Sequence, residues 1–117
     1  MTKSEIAQLF SAGKFEECYP HLAEASSWNI PGEQYLLGKP AIKEYCDGVA
    51  EFFKTVTTNF NALNVIENDK CVSINGTAEF IRDGLTFSYV SSCDVYEFDS
   101  NNKILSIHSY CVSHDII

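Results

Sequence analysis

Apolar residues recur with a helical period in the first half of the chain and alternate with polar residues in the second half. Ser4 is placed to cap a short first helix that Gly13 ends. A second helical segment covers residues 15–22, and Pro20 should break or kink it. The longest helix begins with Pro40 in its first turn. Its apolar stripe is formed by Ile42, Tyr45, Val49, Phe52, Phe53 and Val56.

Extended segments surround and follow this helix. Residues 26–30 and 34–37 form a short pair turned by Pro31 and Gly32. Four longer strands are expected near residues 57–66, 71–82, 85–98 and 103–113, separated by Asn68-Asp69, Asp83-Gly84 and Asn101-Asn102. An antiparallel meander with helices on one face is an α+β arrangement, and strands of this length can curl around the long helix to form a cone.

Composition and charge narrow the class of protein. The chain has 117 residues, 45% of them hydrophobic, and no repeat or linker divides it, so residues 1–117 are expected to form a single domain. With 16 acidic and 8 basic residues the net charge is -8, which disfavours nucleic acid and anionic membrane surfaces as partners.

The compartment is also predicted from the sequence. There is no apolar run long enough to span a membrane, and the N-terminal residues lack the pattern of a signal peptide. The five cysteines are scattered without a C-x-x-C motif, which is typical of reduced, mostly buried thiols. We therefore expect a cytoplasmic protein.

Side-chain alternation predicts which face of each strand points inward. In the strand from Cys71, the even positions from Val72 to Phe80 are apolar and should face the core. The next strand leaves two alternatives, because Leu85, Phe87 and Tyr89 share one face while Ser92 and Asp94 share the other. Either the mixed polar face is outside, or it lines a cavity and a second subunit covers the apolar face.

Several short segments together resemble the nuclear transport factor 2-like superfamily, which includes ketosteroid isomerases and SnoaL-like polyketide cyclases. The resemblance spans nearly the whole chain. It rests on Gly13-Lys14-Phe15, Trp28-Asn29-Ile30-Pro31-Gly32, Gly38-Lys39-Pro40-Ala41-Ile42, Cys93-Asp94-Val95-Tyr96-Glu97-Phe98 and Lys103-Ile104 with Ile107 and Tyr110. It implies a cone-shaped, cystatin-like α+β roll in which a curved antiparallel sheet packs on about three N-terminal helices. It also implies a pocket at the open end and, often, a dimer through the outer sheet face.

The resemblance assigns a chemical role to Asp94. Aligned on ketosteroid isomerases, it falls where those enzymes hold a protonated aspartate that donates a hydrogen bond to the substrate oxyanion. Apolar surroundings raise the pKa of a carboxyl because they remove the hydration of its charged form. Read from the residues alone, Asp94 could equally be a paired or capping carboxylate at the sheet edge.

The alignment also supplies a pocket wall and a dimer face. The predicted ligand contacts are Trp28, Asn29, Tyr45, Phe53, Ala78, Phe80, Ser92, Tyr96, Ser109 and Cys111. The predicted dimer face consists of Leu85, Phe87, Tyr89, His108 and Tyr110. Trp28 could stack on a flat ligand or simply plug the mouth of the cone.

Two positions depart from the isomerase pattern. The proton-shuttling aspartate falls on Asn29, and the helix-borne tyrosine donor falls near Glu5. An amide is not a general base near neutral pH, so Asn29 could only orient a polar ligand atom.

The other candidate groups of residues give little indication of a metal site, a nucleophile or a cofactor. His108, Cys111 and His114 are three residues apart, and residues at that spacing in a strand point to opposite faces, so no metal site is expected. Cys18 and His21 are too few to bind a metal, and no base is placed beside Cys111. Phosphate-binding and hydrolase motifs are absent, so no cofactor is expected.

The sequence therefore predicts a cone that binds a small, largely apolar molecule. It leaves two functions open. One is a cofactor-independent isomerase, cyclase or lyase in which neutral Asp94 stabilises an oxyanion. The other is a non-catalytic ligand-binding or dimerisation module.

Overall fold

The first helix, α1, spans Lys3–Ser11 in a computed structural model that describes residues 1–115. Thr2, not Ser4, caps it. The Thr2 hydroxyl accepts a hydrogen bond from the Glu5 N–H, and the Glu5 carboxylate accepts one from the Thr2 N–H over 2.9 Å. Such a box needs an acidic side chain three residues after the cap, which Thr2 has and Ser4, followed by Ala7, does not. Helix α1 buries Ile6, Ala7 and Phe10 against the sheet.

The second helical segment is shorter than predicted. Glu16–His21 forms a 3₁₀ helix that contains Pro20. Leu22, which the sequence pattern placed in this helix, is instead the first residue of a strand. Proline lacks the N–H that a longer helix would require at this point, so the segment ends after two turns.

The long helix, α2, spans Lys39–Phe53 and has Pro40 in its first turn, as predicted. It is preceded by Gly38, whose φ of 94° is rarely adopted by other residues. Ile42 and Cys46 are fully buried, and Phe52, on the flank of the stripe, is 44% exposed. Val56 was expected to extend the stripe, but the helix ends before it.

Six strands form a single curved sheet in the described residues. Their bounds are β1 Leu22–Ile30, β2 Gln34–Leu37, β3 Thr57–Glu67, β4 Cys71–Arg82, β5 Leu85–Phe98 and β6 Ile104–Asp115. The strand order is β2-β1-β6-β5-β4-β3. The four long strands form the predicted antiparallel meander. The sequence did not indicate that β1 runs parallel to β6, which joins the short N-terminal pair to the meander.

The inner face of this sheet is the one that the alternation predicted for β4. Val72 and Ile74 are buried there, together with Tyr96 of β5 and Ile107 of β6. The curved, unclosed sheet packs on α1, the 3₁₀ helix and α2. The α+β cone predicted from the sequence is therefore confirmed.

A bulge in the β4–β5 pairing changes the face that one residue occupies. Phe80 pairs with Ser88 and Ile81 pairs with Thr86, so Phe87 is an extra residue between them. Its ring lies 6.4 Å from the ring of Phe80, on the cavity side of the sheet. The prediction that Phe87 points outward with Tyr89 is wrong, because strict alternation fails at a bulge.

Two further properties of the described residues are the hydropathy of the helices and the state of the cysteines. No helix among residues 1–115 combines the length and the hydropathy that crossing a bilayer requires. All five cysteines lie in this range as free thiols. Cys18 and Cys46 are buried, whereas Cys111 is exposed.

Candidate functional site

A cavity of about 460 Å³ lies between the concave face of the sheet and the helices. Most of its wall is apolar, since β3, β4 and the two α-helices all contribute aromatic rings. Eight aromatic side chains line it: Phe10, Phe15, Trp28, Tyr45, Phe52, Phe53, Phe60 and Phe80. A cavity of this size and lining suits a small, mostly apolar molecule.

Asp94 is the carboxyl group in the inner part of this wall. It lies on β5, directly opposite Ser109 of β6. The Ser11 hydroxyl, at the end of α1, donates a hydrogen bond to Asp94 Oδ2 over 2.8 Å. Alternation on β5 directs Asp94 inward because its neighbour two residues on, Tyr96, is fully buried in the core.

Two hydrogen-bonded chains converge on this carboxyl. The Tyr96 hydroxyl lies 2.6 Å from the Ser11 hydroxyl, which also donates to Asp94, so the phenol serves as the donor to Ser11. On the other side, Trp28 Nε1 donates to Ser109 Oγ over 2.9 Å. An indole N–H can only donate, so the hydrogen of Ser109 is free to point at Asp94.

Burial and hydrogen bonding have opposite effects on Asp94. Loss of hydration raises its pKa above the ordinary 3.8, whereas the hydroxyls of Ser109 and Ser11 stabilise the charged form and limit the rise. Of these effects on the pKa of Asp94, burial is the largest. A carboxyl in this setting holds its proton to higher pH than an exposed one.

Most of the residues predicted for the pocket line this cavity. They are Trp28, Tyr45, Phe53, Ala78, Phe80, Ser92, Asp94, Ser109 and Cys111. Tyr96 is an exception, because it lies behind the wall, completely enclosed, and acts through Ser11.

Asn29 is the second exception. It pairs with His108 on β6 and with Tyr35 on β2, while its neighbours Trp28 and Ile30 face the cavity. Side chains alternate along a strand, so Asn29 points to the outer face. The expectation that Asn29 orients a ligand is therefore wrong.

The solved structures place this cone in a family. An alignment with a nuclear transport factor 2-like protein of unknown function from Cytophaga hutchinsonii covers 92% of this chain and 94% of that one, at 33% identity and a TM-score of 0.82. This chain belongs to the nuclear transport factor 2-like family. No protein-family model and no curated protein matches its sequence.

More distant structures share the fold. A putative isomerase of the SnoaL-like family from Agrobacterium tumefaciens is 15% identical, with 96% of this chain and 99% of that one covered and a TM-score of 0.69. An epoxide hydrolase/cyclase-like enzyme with a role in pyran ring formation in the polyether salinomycin is 16% identical, with 94% and 90% covered and a TM-score of 0.71. At these identities the likeness concerns the fold.

In this nuclear transport factor 2-like protein, three polar residues at the cavity were not predicted. Ser11 is the last residue of α1, and nothing in the sequence signals its contact with Asp94, 83 positions away. Glu33 reaches the cavity from the turn between β1 and β2. Thr58, on β3, has a buried hydroxyl oxygen without a hydrogen-bond partner among residues 1–115. Glu33 could have been suspected, since it follows the Pro31-Gly32 turn a few residues after Trp28, a predicted ligand contact.

The thiol of Cys111 lines the cavity, and its pKa is raised to about 11 by burial and by the negative charges of Asp94 and Glu33. It is therefore protonated at neutral pH, which disfavours a nucleophile. Cys111 pairs with Ser92, whereas His108 and His114 pair with Val95 and Tyr89 on the opposite face. No group of three or more metal-binding side chains comes together within residues 1–115.

Proposed function

We propose that this nuclear transport factor 2-like protein binds a small, largely apolar molecule in its cone cavity, with Asp94 as the main polar contact. The observation that carries the proposal is the position of this carboxyl, held by Ser11 and opposite Ser109, within a wall of aromatic rings. Apolar walls with a few fixed polar groups are typical of small-molecule sites.

The raised pKa of Asp94 favours a particular hydrogen bond between its carboxyl group and a ligand. In its neutral form the carboxyl donates one hydrogen bond, so a ligand oxygen such as that of a ketone is its natural partner. Such binding needs no cofactor.

A cofactor-free isomerase, cyclase or lyase is the catalytic form of this proposal. The raised pKa favours it, because a neutral acid in a dry site can stabilise an oxygen that gains negative charge during a reaction. Asn29, on the outer face, takes no part in proton transfer. A non-catalytic binding module needs only the cavity and Asp94.

The test uses 2-decalone, an uncharged bicyclic ketone with one oxygen. Trp28 is the only tryptophan of the chain and lines the cavity, so its fluorescence reports occupancy directly. We expect saturable quenching, and we expect Asp94→Ala, which has no hydrogen-bond donor, to weaken binding by about tenfold, the value of one hydrogen bond of roughly 1.4 kcal/mol.

Two variants make the test specific. Ala78→Phe fills the cavity while leaving Asp94 in place, and should abolish the quenching. Glu97→Gln, on the outer face of the same strand as Asp94, should leave it unchanged. Absence of saturation, or equal binding to Ala78→Phe, would overturn the proposal.

We also propose that the protein forms a homodimer through the outer face of the sheet. Tyr110 and Val112 of β6 lie on that face and are 52% and 61% exposed, more apolar surface than a solvated face usually carries. Tyr89, Tyr110 and His108 remain in the proposed contact. Phe87 is removed from it, and so is Leu85, because residues two apart on a strand share a face.

A further inference from the structure

The cavity has a second carboxylate at its opening. Glu33, in the turn between β1 and β2, is exposed and also lines the cavity, so it lies at the mouth, whereas Asp94 lies further in. Burial is the main cause of the raised pKa values of Tyr45 and Cys111, and the negative charge of Glu33 raises both further. Glu33, Tyr45 and Cys111 all line the same cavity.

No positive charge balances Glu33 in the cavity wall. Among the lining residues within the described part of the chain there is no lysine, arginine or histidine. The net charge of the whole chain is -8, which adds a long-range attraction for cations and a repulsion of anions. An anionic ligand would therefore meet the negative charge of Glu33 and no compensating positive charge.

The aromatic wall of the cavity suits a cation. Tyr45, which lines the cavity together with Glu33, contacts the more deeply buried Trp28 edge to face, with ring centroids 5.4 Å apart. Aromatic faces attract ammonium groups, and they do so more strongly when the group is partly removed from water. A carboxylate next to such rings is a combination that recognises organic amines.

We propose that the cavity selects apolar molecules that carry a protonated amine at the end nearest the mouth, with the ammonium group held by Glu33 against the ring of Tyr45. Asp94 then contacts the inner end of the same ligand. This inference rests on the proposed function, since it assumes that the cavity takes up an apolar molecule, and it adds the charge class of that molecule.

The experiment compares three probes with one ring system. They are 2-decalone, its 6-amino derivative and its 6-carboxylate derivative, called below the ketone, the amine and the carboxylate. All three keep the oxygen that faces Asp94, and they are respectively neutral, cationic and anionic near neutral pH. Calorimetric titration should give binding of the amine about three- to tenfold tighter than the ketone, the range of a partly exposed ion pair with a cation–π contact. The carboxylate should bind more weakly than the ketone. The preference for the amine should shrink in about 0.5 M salt.

Charge-matched variants assign the preference to Glu33. Glu33→Gln should lower the ratio of amine affinity to ketone affinity to about one. Glu67→Gln removes one negative charge at the far end of β3, outside the cavity lining, and should keep that preference.

The outcomes separate this inference from the proposed function. Failure of the ketone itself to bind would overturn the proposed function. If the ketone binds and the amine binds no better, the inference alone is wrong. It is also wrong if the preference survives Glu33→Gln and is lost in Asp94→Asn, because the cation would then sit on the inner carboxyl.

Discussion

The indole N–H of Trp28 donates a hydrogen bond to the hydroxyl of Ser109 over 2.9 Å, across the parallel pair of β1 and β6. Both residues are buried, at 8% and 4% exposure. The bond fixes the indole as part of the cavity wall and leaves the hydroxyl hydrogen of Ser109, which pairs with Asp94 in the sheet, free for another acceptor.

Ser109→Ala should destabilise the fold. The buried indole N–H loses its acceptor, at a cost of about 1–3 kcal/mol in the free energy of urea unfolding. In a Trp28→Phe background, where no N–H is present, the same change should cost clearly less. Equal costs in the two backgrounds would show that the hydrogen bond does not stabilise the fold.

Asp94 should reduce stability at neutral pH. Its folded pKa is raised above 3.8, so the native state binds the proton more tightly than the unfolded chain does. Its contribution is therefore most favourable below pH 3.8, and stability is lost as the pH rises from there through the folded pKa. Asp94→Asn should remove that loss and unfold at higher urea concentration than the wild type near neutral pH.

The measurement is the urea midpoint of both proteins from acid to neutral pH. Their difference should grow with pH and then level off. A wild type that is more stable than Asp94→Asn at every pH would contradict the direction given for the pKa of Asp94.

Gly76→Ala and Gly48→Ala should have opposite effects. A Cβ on Gly76 would lie 2.6 Å from the carbonyl oxygen of Asn61, where β3 and β4 approach each other beside a bulge, so the strands must shift at a cost of about 1–3 kcal/mol. Gly48 lies inside α2 with open space around it, and alanine there should stabilise the helix by about 0.5–1 kcal/mol. Thermal unfolding of the pair measures both signs.

Cys111 should react slowly with alkylating agents in spite of its exposure. Its pKa of about 11 leaves little thiolate near neutral pH. The rate of reaction with iodoacetamide should rise with pH to beyond 10. Glu33→Gln removes a negative charge that raises this pKa, so it should shift the rate profile to lower pH. An unshifted profile would place Glu33 away from the thiol.

Tyr110→Glu should convert the proposed dimer into monomers, because a charge buried in the contact is costly. Leu37→Glu changes an equally exposed apolar residue on the edge strand β2 and serves as the control. Sedimentation velocity should give two chains for the wild type and the control, and one chain for Tyr110→Glu. A monomeric wild type would overturn the dimer.

Periodicity predicted the long elements because each buries a regular stripe. The α2 stripe and the alternation in β4 both match the structure, since the core contacts of a long helix or strand average over many residues. Features that depend on a single residue were harder to predict from the sequence. The cap at Thr2 depends on one pair of side chains, and the face of Phe87 depends on one extra residue in a bulge.

The candidate site shows the same difference between regular elements and features that depend on single residues. Asp94 lies within a 14-residue strand whose two faces alternation alone left undecided, and its inward direction was predicted from the family resemblance. Asn29 lies one residue before the end of β1, where a sequence alignment through the following turn is uncertain by one position, and one position reverses the face. Ser11 and Glu33 reach the cavity from the end of a helix and from a turn, where neither period applies.

The parallel pairing of β1 with β6 also governs when the site can form. Trp28 and Ile107 are neighbours in the sheet although most of the chain separates them. Contacts between such distant segments slow folding, because the entropy of closing the loop is lost before the contact is gained. During synthesis the growing chain can assemble the meander only up to β5, and its aromatic interior remains open to water until β6 is added. Chaperone dependence is therefore expected at that stage, and a chain truncated before Ile104 should aggregate instead of folding.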